Sequence, residues 1–113
     1  MVQTNRQLDR VFFALSDGTR RAILARLAQG STTIGELAAP FAISKPAISK
    51  HMKVLERAGL IDRRISGRQH RCTLTTAGLR TAEEWLNFHR KFWESRLDAL
   101  NVLLQPDESA DEE

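Results

Sequence analysis

Eight lysine and arginine side chains crowd into residues 44–71, at Lys45, Lys50, Lys53, Arg57, Arg63, Arg64, Arg68 and Arg71, against only Glu56 and Asp62. Ser44, Ser49, Gln69, His51 and His70 are interleaved with them. Ammonium and guanidinium groups with neutral hydrogen-bond donors suit one chemistry above others, recognition of an oxygen-rich polyanion. Bond-making chemistry finds little here. Three scattered histidines (His51, His70, His89), one cysteine (Cys72) and no glycine-rich phosphate loop supply no pairing of nucleophile with base, so no enzyme is expected.

The elements that would position these residues follow from the apolar spacing. Leu8, Val11, Phe12 and Leu15 recur at helical intervals and predict a helix from Asn5 to Leu15. Ser16 and Asp17 are N-cap types, and Thr19–Ala28 continues with Ile23, Leu24 and Leu27. Thr33-Ile34-Gly35-Glu36 has the form of a capping box and opens a short third helix, stopped near Pro40. Ser44 caps a fourth helix with Pro46 in its first turn. On that helix Ile48, Met52 and Leu55 share one face, with His51 at its edge; Lys45, Pro46, Ser49, Lys50, Lys53 and Arg57 occupy the other. Leu60–Ile65 and Gln69–Thr75 read as two strands around Ser66-Gly67-Arg68, a hairpin that gathers Arg63, Arg64, Arg68, His70 and Arg71. A long helix runs from about Thr76 to Leu104.

The expected order is therefore four helices, a two-stranded ribbon and a last helix: a mainly α fold with a small β-hairpin. Helices three and four scan as a helix-turn-helix, with Ile48, Met52 and Leu55 docked on Leu37 and Phe41. The polar side of helix four would then face the major groove of duplex DNA. The N-terminus of helix four, around Lys45, Pro46 and Ala47, adds free backbone N–H groups for a phosphate, Pro46 itself having none. The hairpin would lie along the backbone or in the adjacent minor groove. A basic helix face alone is commonly just solvated surface; the basic hairpin directly following it makes the polyanion reading the stronger one.

The 113 residues, 42% hydrophobic, are expected to form one domain over residues 1–105. Formal net charge is +3, but residues 107–113 hold five acids and no base, so the first 106 residues carry 17 basic against nine acidic side chains. Residues 106–113 are expected to be a disordered acidic tail. No apolar run approaches the ~20 residues of a membrane span, no signal-peptide pattern opens the chain, and a lone cysteine fits a reducing compartment; a cytoplasmic protein is expected.

Leu15-Ser16-Asp17-Gly18-Thr19-Arg20-Arg21-Ala22-Ile23-Leu24 resembles the opening signature of ArsR-type bacterial winged-helix repressors. So does Ser44-Lys45-Pro46-Ala47-Ile48-Ser49-Lys50-His51-Met52-Lys53-Val54-Leu55, followed by Ala58-Gly59-Leu60-Ile61. The similarity spans about residues 8 to 104, and Gly18 stands where a proline is common. The resemblance implies a winged helix-turn-helix protein, a homodimer that represses transcription from a pseudo-palindromic operator. It implies that Ser49 and His51 lie at the DNA face, while from its spacing His51 is equally a half-buried packing residue. A winged-helix module for protein interaction or RNA binding is the competing reading, since fold does not fix function.

The last helix carries two apolar stripes. Leu79, Ala82, Leu86, His89, Trp93, Leu97, Leu100 and Leu104 form one; Trp85, Phe88 and Phe92 form the other. Two stripes on one helix call for a second partner. The resemblance supplies it as the other subunit, packed through first and last helices, with Leu8, Phe12, Trp85, Leu86, Phe92, Trp93, Leu97, Leu100 and Leu104 as the interface.

Many ArsR-type proteins sense metals, but no cofactor or metal site is expected here. Where some carry thiolates this chain reads Ala38-Ala39-Pro40, and the last helix offers one imidazole, His89, with Glu84, Glu94 and Asp98. Cys72 is a packing residue or, among arginines that lower a thiol pKa, a redox-active one. DNA binding is accordingly predicted to be insensitive to zinc, cadmium and arsenite. The check is an operator titration with each metal under reducing conditions; release at low micromolar metal that survives Cys72→Ser would reveal a site around His89.

Overall fold

The computed structural model describes residues 2–105. Five α-helices and three short strands follow one another: α1 (Val2–Leu15), α2 (Gly18–Leu27), β1 (Thr32–Thr33), α3 (Ile34–Ala38), a 3-10 turn (Ala39–Phe41), α4 (Lys45–Arg57), β2 (Ile61–Ser66), β3 (Gln69–Leu74) and α5 (Ala77–Leu104). The fold is mainly helical with a small antiparallel sheet. The chain divides within α5 into two compact units, one up to Ala82 and one from Glu83. The expected acidic tail lies outside the described residues.

The caps form where the side chains indicate them. Asp17 accepts the Arg20 N–H at 3.0 Å, Thr33 accepts that of Glu36 at 3.3 Å, and Ser44 accepts that of Ala47 at 3.3 Å. The capping box is half formed, because Glu36 accepts from the Thr32 hydroxyl instead of reaching back to Thr33. That contact satisfies the hydroxyl of Thr32, which is 1% exposed.

The expected two-stranded ribbon is a three-stranded sheet of order β1-β3-β2. Thr32 pairs with Cys72 and Thr33 with Arg71. Two residues show no period, which is why the first strand left no pattern to read. The hairpin closes through Gly67 and Arg68, with Ser66 opposite Gln69. Gly67 takes φ +63° at the first central position, a conformation that suits glycine in two-residue hairpin loops. Between α3 and α4 the chain turns through Ala42 at φ 52°, a left-handed residue without a glycine's freedom.

The core lies in the first unit. Val11 and Ala14 from α1, Ile23 and Leu27 from α2, and Leu37 from α3 meet Ile48, Met52 and Leu55 from α4. Phe41 and Ile43 pack against its rim, as the docking of helix four on Leu37 and Phe41 requires. Leu60, Ile61 and Cys72 close it from the sheet side.

The junction of α4, β2 and the start of α5 is held through backbone. Gly78 N–H donates to Gly59 O at 2.9 Å, Thr75 Oγ1 to the same oxygen at 2.8 Å, and Gln7 Nε2 to Ala58 O at 2.8 Å. A Cβ on Gly78 would fall inside the contact distance of the Ala58 carbonyl oxygen and 3.1 Å from Gly59 O. Both obstacles are main chain and cannot rotate away. Gly78→Ala should therefore destabilise the fold by about 2–3 kcal/mol, despite alanine's better helix propensity. Urea denaturation checks this; a variant as stable as wild type would show that the junction is not tightly packed.

Candidate nucleic-acid interface

The surface that carries the basic residues is built on α4 and the β2–β3 hairpin. Ile48, Met52 and Leu55 are fully buried and fasten one side of α4 to the core. At roughly 1.5–3 kcal/mol for each apolar side chain removed from water, they hold the helix against the repulsion of its own charges. On the opposite side Ser44, Lys45, Pro46, Lys50, Lys53 and Arg57 are exposed, with Ala47 and Ser49 half-buried. Among the described residues no carboxylate lies within 4.0 Å of Lys45, Lys50, Lys53 or Arg57.

The hairpin brings its basic residues close together, but on two faces. Strand alternation splits them. Arg63, half-buried, faces α4 and pairs with Glu56 at 3.3 Å; His70 shares that face with buried Cys72. Arg64 and Arg71 stand directly opposite each other on the other face, both exposed. Arg68 occupies the turn, exposed beside Gln69. Arg64 is tied to Asp62 at 3.3 Å, whereas Arg68 and Arg71 have no carboxylate in reach among the described residues. Like charges directly across two strands oppose sheet formation. Their juxtaposition is a cost that an anionic partner would relieve.

His51 is half-buried, turned toward α2 and the end of α1. Its Nδ1 lies 3.3 Å from Arg20 Nη1 and 3.9 Å from Asp17 Oδ2. A guanidinium only donates, so in this hydrogen bond Nδ1 is the acceptor and the ring proton sits on Nε2. His51 thus packs against α2, and its side chain keeps 23% exposure at the edge of the α4 surface.

Arg20 was not singled out from the sequence as functional, yet it organises this corner. It is 8% exposed; its Nε donates to Ala14 O at 2.8 Å and its Nη2 to Phe13 O at 2.8 Å, with the guanidinium 4.9 Å from the Phe13 ring centroid. One side chain thereby satisfies the Ala14 carbonyl at the end of α1, joins Ser16 at that of Phe13, and supports His51 on α4. The signal was present: Arg20 falls in register with Ile23 and Leu27 on the buried stripe of α2, where an arginine needs acceptors.

Cys72 is fully buried, and burial pushes its thiol pKa up. Arg63 pulls the other way, as the surrounding arginines led one to expect, but desolvation is the larger effect. This corrects the redox-active alternative for Cys72: the thiolate is disfavoured and the sulfur inaccessible. On α5, His89 clusters with Trp85 and Trp93, its ring tilted against theirs at centroid distances of 4.4 and 5.8 Å. Among the described residues no group of three His, Cys, Asp or Glu is arranged to hold a metal ion, and no helix is long and apolar enough to cross a membrane.

Of the residues expected at a subunit interface, Phe12, Leu86, Phe92, Trp93, Leu97, Leu100 and Leu104 are 38–71% exposed, while Leu8 and Trp85 are half-buried. Phe88 of the second stripe is 73% exposed, and Val102 and Leu103, outside both stripes, are 72% and 81% exposed.

A helix-turn-helix with a basic hairpin behind it defines a winged-helix protein, and the comparisons agree. Residues 15–64 match a helix-turn-helix domain family. The chain is 40% identical over 103 residues to the HTH-type transcriptional regulator Rv2034 of Mycobacterium tuberculosis, covering 91% of this chain and 94% of that one. It is 41% identical over 85 residues to the transcriptional repressor SdpR of Bacillus subtilis, covering 74% and 94%. The crystal structure of an ArsR family transcriptional regulator superposes with a TM-score of 0.77 at 40% identity, over 80% of this chain and 94% of that one. A homodimeric winged helix-turn-helix DNA-binding domain from Mycobacterium bovis gives 0.62 at 26%, over 90% and 86%. The chain belongs to the ArsR family of transcriptional regulators.

Two substitutions probe the Arg20 corner. Arg20→Met should cost about 1–3 kcal/mol, because the buried Ala14 carbonyl loses its donor, while Phe13 O keeps the donors of Ser16. The Arg20 N–H bond holds the Asp17 carboxyl below its ordinary pKa. A lowered folded-state pKa stabilises the fold above the unfolded-state value and is lost as pH falls through the folded one. The stability gap between wild type and Asp17→Ala should therefore be full near neutrality and shrink on acidification below about pH 4. Denaturation midpoints over that range check it; a gap constant with pH would show that the carboxylate charge plays no part.

Proposed function

We propose that the protein is a homodimeric repressor that binds a pseudo-palindromic operator in double-stranded DNA. The observation that carries this reading is α4 itself, fully buried along Ile48, Met52 and Leu55 and lined on the other side by cations without carboxylate partners among the described residues. In this reading Ser49 and Lys50 reach base edges in the major groove, with Ala47 and His51 at the margin of the contact. Lys45 and Lys53 engage phosphates, and Ser44 and Pro46 seat the first turn of α4 against the backbone. Arg64, Arg68, Gln69, His70 and Arg71 hold the flanking backbone or minor groove, where arginine is favoured.

The dimer is supported by the apolar surface of α5 beyond Glu83, which stays open within the chain, and by the homodimeric state of the Mycobacterium bovis domain. Leu8, Phe12, Trp85, Leu86, Phe92, Trp93, Leu97, Leu100 and Leu104 form the proposed interface. Two copies of α4 would read half-sites about 34 Å apart or a multiple of it. Repression is inferred from the name of SdpR, action in the bacterial cytoplasm from the family, and indifference to metals from the absence of thiolates beside Leu37.

Binding-site selection from random duplex DNA, followed by operator titrations, tests the reading. Ser49→Ala and Lys50→Ala should weaken specific binding more than non-specific binding. Arg68→Ala and Arg71→Ala should weaken binding to all sequences and flatten the salt slope by about one unit per lost phosphate contact. Full operator preference in the Ser49 and Lys50 variants would remove α4 as the reader. Sedimentation should give a dimer for wild type and monomer or aggregate for Trp93→Glu with Leu100→Glu; a stable wild-type monomer at micromolar concentration would refute the proposed assembly.

A further inference from the structure

A cleft of about 360 Å³ opens between α4 and the wing. Lys45 and Ser49 line it from α4, Arg63, Arg68, Gln69 and His70 from the hairpin, and residues 33–35 from the other side. Its size is at the lower end of what small-molecule sites enclose. Among the described residues no carboxylate lines it. Arg63 shares its charge with Glu56, but Lys45 and Arg68 have no such partner among the described residues. His70 contributes a ring whose Nδ1 is buried without a hydrogen-bond partner among the described residues. A buried polar atom left unsatisfied is rare and costs of the order of 1–3 kcal/mol, so an unpaired nitrogen on a residue lining this cleft asks for an explanation.

We propose that this cleft is a binding site for a small, multiply charged phosphorylated ligand. Lys45 and Arg68 supply the charge, and Ser49, Gln69 and His70 the hydrogen bonds. Phosphate oxygens match this donor set: each accepts several hydrogen bonds, and the cleft offers donors from two elements. An apolar ligand would leave those donors unpaired, and a cation would meet only like charge. Concavity separates this site from the rest of the basic surface. Lys50, Lys53 and Arg71 do not line it.

The site has a regulatory consequence, which rests on the DNA-binding reading. Lys45, Ser49, Arg68, Gln69 and His70 are also residues assigned to the operator, so a ligand seated in the cleft and the operator exclude each other. Release from DNA would follow from direct competition, without a distant sensor.

Inorganic pyrophosphate is the probe. The first arm titrates it into the full-length protein without DNA, at constant ionic strength, following backbone amide resonances. The expected result is saturable binding of one pyrophosphate per chain, with shifts confined to the surroundings of Gly35, Ser49 and His70. Lys45→Ala and Arg68→Ala should each weaken it about ten-fold; both side chains are exposed, and circular dichroism confirms that the variants fold. Non-saturating shifts spread over all basic residues, matched by sodium chloride of equal ionic strength, would overturn the site. The second arm adds pyrophosphate to the operator complex at matched ionic strength. Displacement in proportion to occupancy of the cleft supports competition, and saturable binding that leaves the complex intact overturns it. Because the first arm contains no DNA, it tests the site even where the operator reading fails.

Discussion

A helix that presents side chains to a partner has to be held from behind, and here the burial of Ile48, Met52 and Leu55 does the holding. All three are fully buried in one cluster with α1, α2, α3 and the sheet. Because α4 turns every 3.6 residues, fixing those positions also fixes where Lys45, Ser49, Lys50 and Lys53 project. The hairpin follows from the same anchorage: α4 ends at Arg57, and β2 begins with buried Ile61 four residues later. Loosening the buried face would therefore misplace both halves of the candidate interface at once.

Arg20 adds a polar counterpart to this apolar anchorage. Its guanidinium joins the last turn of α1 to His51 on α4, and its backbone N–H is held by Asp17. A buried arginine is tolerable only when its donors are matched, and three of them are matched here by two carbonyls and an imidazole nitrogen. The arrangement orients the His51 ring and selects its tautomer. A residue that packs and a residue that faces the functional surface can thus be the same one.

Charge is distributed to favour binding over folding. Among the described residues no carboxylate reaches Lys45, Lys50, Lys53 or Arg57 on α4, and Arg64 and Arg71 face each other across the hairpin. A protein selected for stability alone would intersperse the signs. The apolar side chains of α5 tell a parallel story in hydrophobic terms. Phe88, Phe92, Trp93, Leu97 and Leu103 remain more than half exposed within one chain. Both surfaces are incomplete in the isolated protomer, one electrostatically and one by solvation.

Periodicity and caps made the helices legible in the amino-acid sequence: Asp17, Thr33 and Ser44 cap as their types dictate, and the face of α4 that enters the core is the one its spacing names. The helix-turn-helix and the hairpin were legible for the same reason, being local patterns of a few residues. Tertiary structure alone decided the rest. β1 is two residues long and exists only because Thr32 and Thr33 find Cys72 and Arg71 some forty residues away. The sorting of the wing arginines onto two faces depends on strand register, and the cleft on the approach of α4 to that wing. Cys72 looked activated by neighbouring arginines because sequence reports proximity of charge but not burial, and burial raised its pKa instead. Local order is encoded by each segment's own periodicity and capping; pairing, burial and concavity are properties of segments brought together.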